Sequence, residues 1–240
     1  MPPVFDDDGL PLFSMPERLH AFLLRNREKI MKEDTMILGI ICGKVGCGKS
    51  VLAQKFAYVI SGKMDISKIA FDGKEFLEAV LSSRKESIIG DEGISLFFSR
   101  GVMTKQGRLM AELMAQIRQK NLCVLICIPN LLSVDTMILE MSNFICFVWE
   151  SRATNKGYKY CVKGNLALYP AFRHNNYKER LLNFYRMRRA NPKFIRRPFP
   201  YLTATGEYYH ADKPAFYNTD IKLYLKKKES ILAKYTDKVN

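Results

Sequence analysis

The residues best able to do chemistry in this 240-residue chain form one run, Gly43-Lys44-Val45-Gly46-Cys47-Gly48-Lys49-Ser50. It fits the pattern GxxxxGK[ST], in which glycines let successive backbone N–H groups turn inward around phosphate oxygens. Gly43, Lys44, Val45, Gly46, Cys47, Gly48, Lys49 and Ser50 are therefore candidate nucleotide-binding residues. Lys49 is placed to reach the β- and γ-phosphates of ATP and Ser50 to offer its hydroxyl to Mg²⁺. Further on, Ser87-Ile88-Ile89-Gly90-Asp91-Glu92 is apolar until it ends in two adjacent carboxylates. Asp91 is the second candidate Mg²⁺ residue, acting through water, and Glu92 the candidate catalytic residue that orients or deprotonates an attacking water. ATP and Mg²⁺ are the cofactors this pairing implies.

Such residues need a scaffold that brings loop and acids to one edge. The run Thr35–Cys42 (TMILGIIC) is short, apolar and β-rich, as a central strand buried on both faces should be. The glycine loop follows it, then a helical segment Ser50–Ile60, so the loop lies between strand and helix as its chemistry requires. Further strands are expected at Lys68–Phe71, Ser87–Gly90, Leu122–Ile128 and Phe144–Trp149. Helices are expected from Asp72, as cap, through Leu81, over Thr104–Lys120 and over Val134–Met141. This alternation predicts an α/β fold with a mostly parallel sheet in three layers. Before it, Ser14 is the expected cap of a helix whose Leu19, Phe22, Leu23 and Ile30 form an apolar stripe. After Glu150, an antiparallel edge strand at Tyr158–Val162 and helices near Asn176–Arg188 and Asp220–Lys234 are expected in a loop-rich extension. The expected organisation is an N-terminal arm and helix over 1–34, a core over 35–150 and the extension over 151–240.

Composition narrows the function classes. With 48% hydrophobic and 26% charged residues the chain is neither disordered nor fibrous. It lacks both an apolar run long enough to span a bilayer and a signal-peptide pattern at its start, so a cytoplasmic protein without stable membrane insertion is expected. Cys42, Cys123, Cys127 and Cys146 sit inside apolar runs and are expected to be reduced core residues. Residues 1–150 hold 18 basic and 18 acidic residues, whereas residues 151–240 hold 20 and 6, so the whole excess of +14 lies in the last part of the chain. A positive field so confined points to an anionic partner, most often nucleic acid. In Phe184–Arg189 and Phe194–Tyr201 aromatics alternate with Arg186, Arg188, Arg189, Arg196 and Arg197, which are the candidate DNA-binding residues, because arginines neutralise phosphates while rings stack on bases.

With GKVGCGKS, IIGDEG and DEGISLFFSRGVMTKQGRLMAELMAQIRQKNLCVLICIPNLLSVD in view, the chain resembles small P-loop ATPases of archaea, their plasmids and their viruses. That group is related to the HerA/FtsK superfamily and to zonula-occludens-toxin-like proteins. The resemblance covers about residues 35–150. It implies a P-loop NTPase fold of the additional-strand type, phosphate binding by Gly43–Ser50, Mg²⁺ at Ser50 and Asp91, and water activation by Glu92. It makes Asn130, after the strand Leu122–Ile128, a candidate catalytic sensor of the γ-phosphate. Arg118 and Arg100 become the leading candidates for an arginine given to a neighbouring subunit, ahead of Arg84, Arg108 and Arg152. One departure stands out: relatives that pump DNA commonly carry Gln where this chain has Asn130.

The expected function is a Mg²⁺-dependent ATP hydrolase that moves or remodels DNA during packaging, transfer or replication of a mobile element, as a homo-oligomeric ring with a hexamer favoured. A virion or transfer-apparatus protein is a further possible partner, and the host cytoplasm the location if the chain is viral. The alternatives are a DnaA-like or helicase-loader ATPase at an origin, and a nucleotide-gated DNA-binding assembly module with little turnover. A small-molecule kinase leaves the basic tail unexplained.

Overall fold

The structure, a computed structural model, describes residues 3–5, 11–91, 117–131, 134–150, 161–170, 204–211 and 221–236. Five parallel strands form its centre: β3 (Ile37–Cys42), β4 (Ile69–Ala70), β5 (Ser87–Gly90), β6 (Cys123–Ile128) and β7 (Phe144–Glu150). Their lateral order is β7-β3-β6-β5-β4, so β6 is inserted between the strand that carries the glycine loop and the strand that ends in Asp91. That inserted strand is what defines the additional-strand arrangement.

Side-chain alternation explains why these strands read as unbroken apolar runs. Ile37 and Ile41 of β3, with Cys123, Leu125 and Cys127 of β6 and Phe144, Cys146 and Val148 of β7, face one core. The intervening Leu38, Ile40, Cys42, Val124, Ile126 and Ile145 face a second. Helices α1 (Glu17–Lys32) and α2 (Lys49–Ser61) contribute to the first core, and α3 (Gly73–Ser82) and α4 (Thr136–Met141) to the second, which gives the three layers expected. Gly39 is needed where the ring of Phe144 crosses β3: a Cβ there would lie 2.2 Å from its Cζ.

Local signals mostly hold. Asp72 caps α3 by accepting from Glu75 N–H at 2.9 Å, and the Glu75 carboxylate reaches back to Phe71 N–H at 3.0 Å. The stripe on α1 buries Leu19, Leu23 and Ile30, with Phe22 packed beside them. Ser14 does not cap that helix. Its backbone belongs to β2 (Pro11–Ser14), paired with Tyr209, and Pro16 stands at the cap position without a side-chain bond. Of the expected helix Thr104–Lys120, the described part is a 3₁₀ turn at Ile117–Lys120; the remainder lies outside the described residues, as does the expected helix near Asn176–Arg188.

Beyond β7 the same sheet continues. Strand β8 (Cys161–Pro170) pairs antiparallel with β7 along its whole length, and β9 (Ala204–Ala211) pairs antiparallel with β8. The expected edge strand at Tyr158–Val162 is thus later, longer and not an edge. Gly164 and Asn165, poor strand formers, obscured it in the sequence. Strand β9 is followed laterally by β2 and then by β1 (Pro3–Phe5), which makes a sheet of nine strands among the described residues. Its two outer strands are short, and Pro3, which has no N–H to donate, suits an edge. Helix α5 (Ile221–Thr236) returns to the parallel half. Among the described residues no helix is long and apolar enough to cross a membrane.

Candidate nucleotide site

The glycine loop leaves β3 at the carboxyl edge of the parallel sheet, where ligands collect in open α/β folds. Gly43 N–H donates to Ile128 O at 3.2 Å, keeping the chain alongside β6 for one residue more. No other residue fits at position 43, because a Cβ would lie 2.2 Å from the carbonyl oxygen of Val148 and 2.7 Å from Cys47 Sγ. Gly46 and Gly48 have φ of 82° and 89°, the left-handed region that glycine enters without strain. Gly48 is also the residue that begins α2, so the loop feeds the positive end of a helix. Lys49, 2% exposed, donates from Nζ to Lys44 O at 3.0 Å and so folds back over its own loop.

The two expected Mg²⁺ residues meet. Ser50 Oγ donates to Asp91 Oδ1 at 2.7 Å, although they lie 41 residues apart. Asp91 follows β5 directly, is 1% exposed, and is anchored by its N–H to Ala70 O at 2.9 Å. A hydroxyl and a carboxylate are the oxygen donors Mg²⁺ selects, and they stand beside the glycine cradle, so these residues fit the ion. The cradle would hold a polyphosphate against backbone N–H groups, and Ser50 and Asp91 are the residues that would hold an ion to neutralise its charge.

Tyr224 of α5 touches the site's carboxylate, a contact that sequence reasoning missed. Its hydroxyl donates to Asp91 Oδ2 at 2.6 Å. Burial, and then the adjoining Asp91 carboxylate, push that hydroxyl far above its ordinary value, so it remains a donor. The Tyr224 ring packs on Phe71, with centroids 5.7 Å apart. One turn on, Lys227 donates to Ile69 O at 2.7 Å and pairs with Glu75 at 3.2 Å. In the sequence Tyr224 reads only as part of the apolar side of a basic helix, and 133 residues separate it from Asp91.

The other candidates divide by position. Asn130 is exposed, two residues beyond β6 and at the loop end of the sheet, where Cys42 Sγ approaches Pro129 O. Arg118 stands at the opposite end: its Nε donates to Asp34 O at 2.8 Å, ahead of β3, so the chain does not bring it to its own loop. Arg84 also precedes its strand, on the turn into β5. Glu92, Arg100, Arg108, Arg152, Arg186, Arg188, Arg189, Arg196 and Arg197 lie outside the described residues. Cys42, Cys47, Cys123, Cys127 and Cys146 are buried and form no disulfide among the described residues, and burial pushes the Cys123 thiol up to about 12.

The strand order and the loop between β3 and α2 define a P-loop NTPase fold of the additional-strand type. Parts of the chain are similar to several solved structures. With the N-terminal domain of zonular occludens toxin from Neisseria meningitidis it shares 12% identity over 60% of this chain and 88% of that one, at a TM-score of 0.38. For the genome packaging NTPase B204 from Sulfolobus turreted icosahedral virus 2, in complex with AMPPCP, the figures are 13%, 57%, 93% and 0.39. A chain of the E. coli MS115-1 HORMA:CdnC:Trip13 complex gives 15%, 58%, 70% and 0.40. No family model and no curated protein matches the chain.

Proposed function

We propose that the chain is a Mg²⁺-dependent ATP hydrolase that moves or remodels DNA and works as a ring of identical subunits. The observation that carries the nucleotide half of this reading is the 2.7 Å bond from Ser50 to Asp91 beside a loop whose three glycines are sterically or conformationally required. In this reading Lys49 exchanges Lys44 O for phosphate oxygens, and Ser50 and Asp91 hold Mg²⁺, which neutralises phosphate charge when bound. Glu92 orients the attacking water, and Asn130 senses the γ-phosphate. Arg118 or Arg100 reaches the site of a neighbouring subunit, and the location of Arg118 away from its own loop is compatible with service in trans.

The DNA half rests on the charge excess of residues 151–240, with Arg186, Arg188, Arg189, Arg196 and Arg197 as the contact residues. The test is steady-state ATP hydrolysis with and without linear duplex DNA, beside Lys49→Ala. Turnover that rises severalfold with DNA and disappears in the variant supports the reading; turnover that survives in the variant overturns the assignment of the site. The contact of α5 with Asp91 favours, as a second reading, a nucleotide-gated assembly module with little turnover, in which nucleotide binds but DNA does not stimulate hydrolysis.

A further inference from the structure

Both oxygens of Asp91 accept a hydroxyl: Oδ1 from Ser50 and Oδ2 from Tyr224, at 2.7 and 2.6 Å. The carboxylate is 1% exposed, so these donors and the surrounding protein enclose it. Mg²⁺ dehydrates reluctantly and keeps several waters, and a carboxylate that binds it through water must turn an oxygen toward that shell. Ser50 belongs to the loop and supplies a ligand itself. The donor that has to give way is Tyr224.

We propose that Tyr224 gates the metal site, its hydroxyl competing with the hydration shell of Mg²⁺ for Asp91, so that binding of Mg²⁺-nucleotide is coupled to release of this contact by α5. The inference rests on the Mg²⁺-nucleotide reading of the site. Coupling is reciprocal: if the ion loosens the Tyr224 contact, that contact weakens the ion by the same factor. Lys227 bonds to β4 and Glu75 without using Asp91, so the Tyr224 bond can break while α5 keeps a foothold on the sheet. The state of the site is thereby passed to a helix that carries Lys222, Lys226, Lys227, Lys228 and Lys234.

The test uses the full chain and its Tyr224→Phe variant, which keeps the ring on Phe71. Binding of a fluorescent ATP analogue is titrated with Mg²⁺, and in EDTA as control. The variant is expected to reach half-maximal binding at about tenfold lower Mg²⁺, the scale of one hydrogen bond to a charged group, with its EDTA affinity unchanged. In the wild-type chain, amide hydrogen exchange over residues 221–236 is expected to rise when nucleotide and Mg²⁺ are added together and not with nucleotide in EDTA. An equal or higher Mg²⁺ requirement in the variant overturns the gate and, if higher, makes Tyr224 a support for Asp91. Unchanged or slower exchange in the wild type overturns it as well. A wild-type chain that binds no nucleotide at any Mg²⁺ concentration removes the underlying reading, whereas one that binds and matches its variant removes only the gate.

Discussion

A methyl group at position 43 would collide with the backbone carbonyl of Val148, an atom of β7, which is fixed between β3 and β8 and cannot easily step aside. Gly43→Ala is therefore expected to displace the loop, costing about 1–3 kcal/mol of stability in denaturant titrations and abolishing binding of the fluorescent nucleotide. Asp91→Asn tests the opposite kind of change, since shape is kept and charge is lost. The variant should fold with a melting temperature close to wild type while its nucleotide affinity no longer responds to Mg²⁺; a normal Mg²⁺ response would exclude Asp91 as the ion's residue. For Glu92→Gln the expectation is retained ATP binding with hydrolysis suppressed, and normal turnover would take Glu92 out of the mechanism. The glycine loop and Asp91 were legible in sequence because strand, loop and helix are contiguous and because an apolar strand that stops at an acid is a local pattern; Glu92 lies outside the described residues. Tyr224 was not legible, since only the folded sheet brings α5 to the end of β5.

Among the elements, β3 depends on a partnership that no local pattern reveals. Gly39 is a vacancy in an otherwise bulky strand, and the Phe144 ring fills it while also contacting Phe22 and Phe56 at centroid distances of 5.4 and 6.1 Å. Gly39→Ala should destabilise the chain by about 1–3 kcal/mol, and adding Phe144→Leu should return part of the loss, a coupling measurable by a double-mutant cycle. At the other end of the sheet, Glu86 precedes β5 and pairs with Lys68 at 3.0 Å and Lys63 at 3.2 Å. Burial alone would raise its carboxyl; the two lysines outweigh this and hold it below its ordinary 4.5. A carboxylate lowered on folding contributes stability above its unfolded value and loses that contribution as pH falls through its folded value. Glu86→Gln should accordingly melt at a lower temperature than wild type near neutrality, and the gap should close in acid. Elements whose periodicity was clean, such as β6 and α2, were legible to within a residue or two. Strand β8 was not, because Gly164 and Asn165 interrupt it and its stability comes from β7 and β9 on either side.

For the whole molecule, the charge asymmetry was plain in the sequence, whereas the continuity of the sheet into the basic half was not. Strands β8 and β9 are integral to the sheet, so cutting the chain after β7 would strip that strand of its partner and confound loss of DNA contact with loss of fold. Neutralising Arg186, Arg188, Arg189, Arg196 and Arg197 to Gln in the full chain is the cleaner test. Affinity for duplex DNA should fall and its dependence on salt should flatten as phosphate contacts are lost. An unchanged salt slope would move the contact surface elsewhere, α5 being the next basic element.

The pairing of β2 with β9 ties residues 13–14 to residues 209–210. During synthesis on the ribosome, strands β3 to β7 can associate once about the first 150 residues have emerged, but β2, though it pairs with β1, has no link to the rest of the sheet until β9 follows. Closure of so long a loop is slow relative to local structure. Until β8 follows, β7 presents an unpaired, largely apolar edge, and until β9 follows, β8 presents one in its place, so the last-made strands are the ones that shield the nascent sheet from edge-to-edge aggregation.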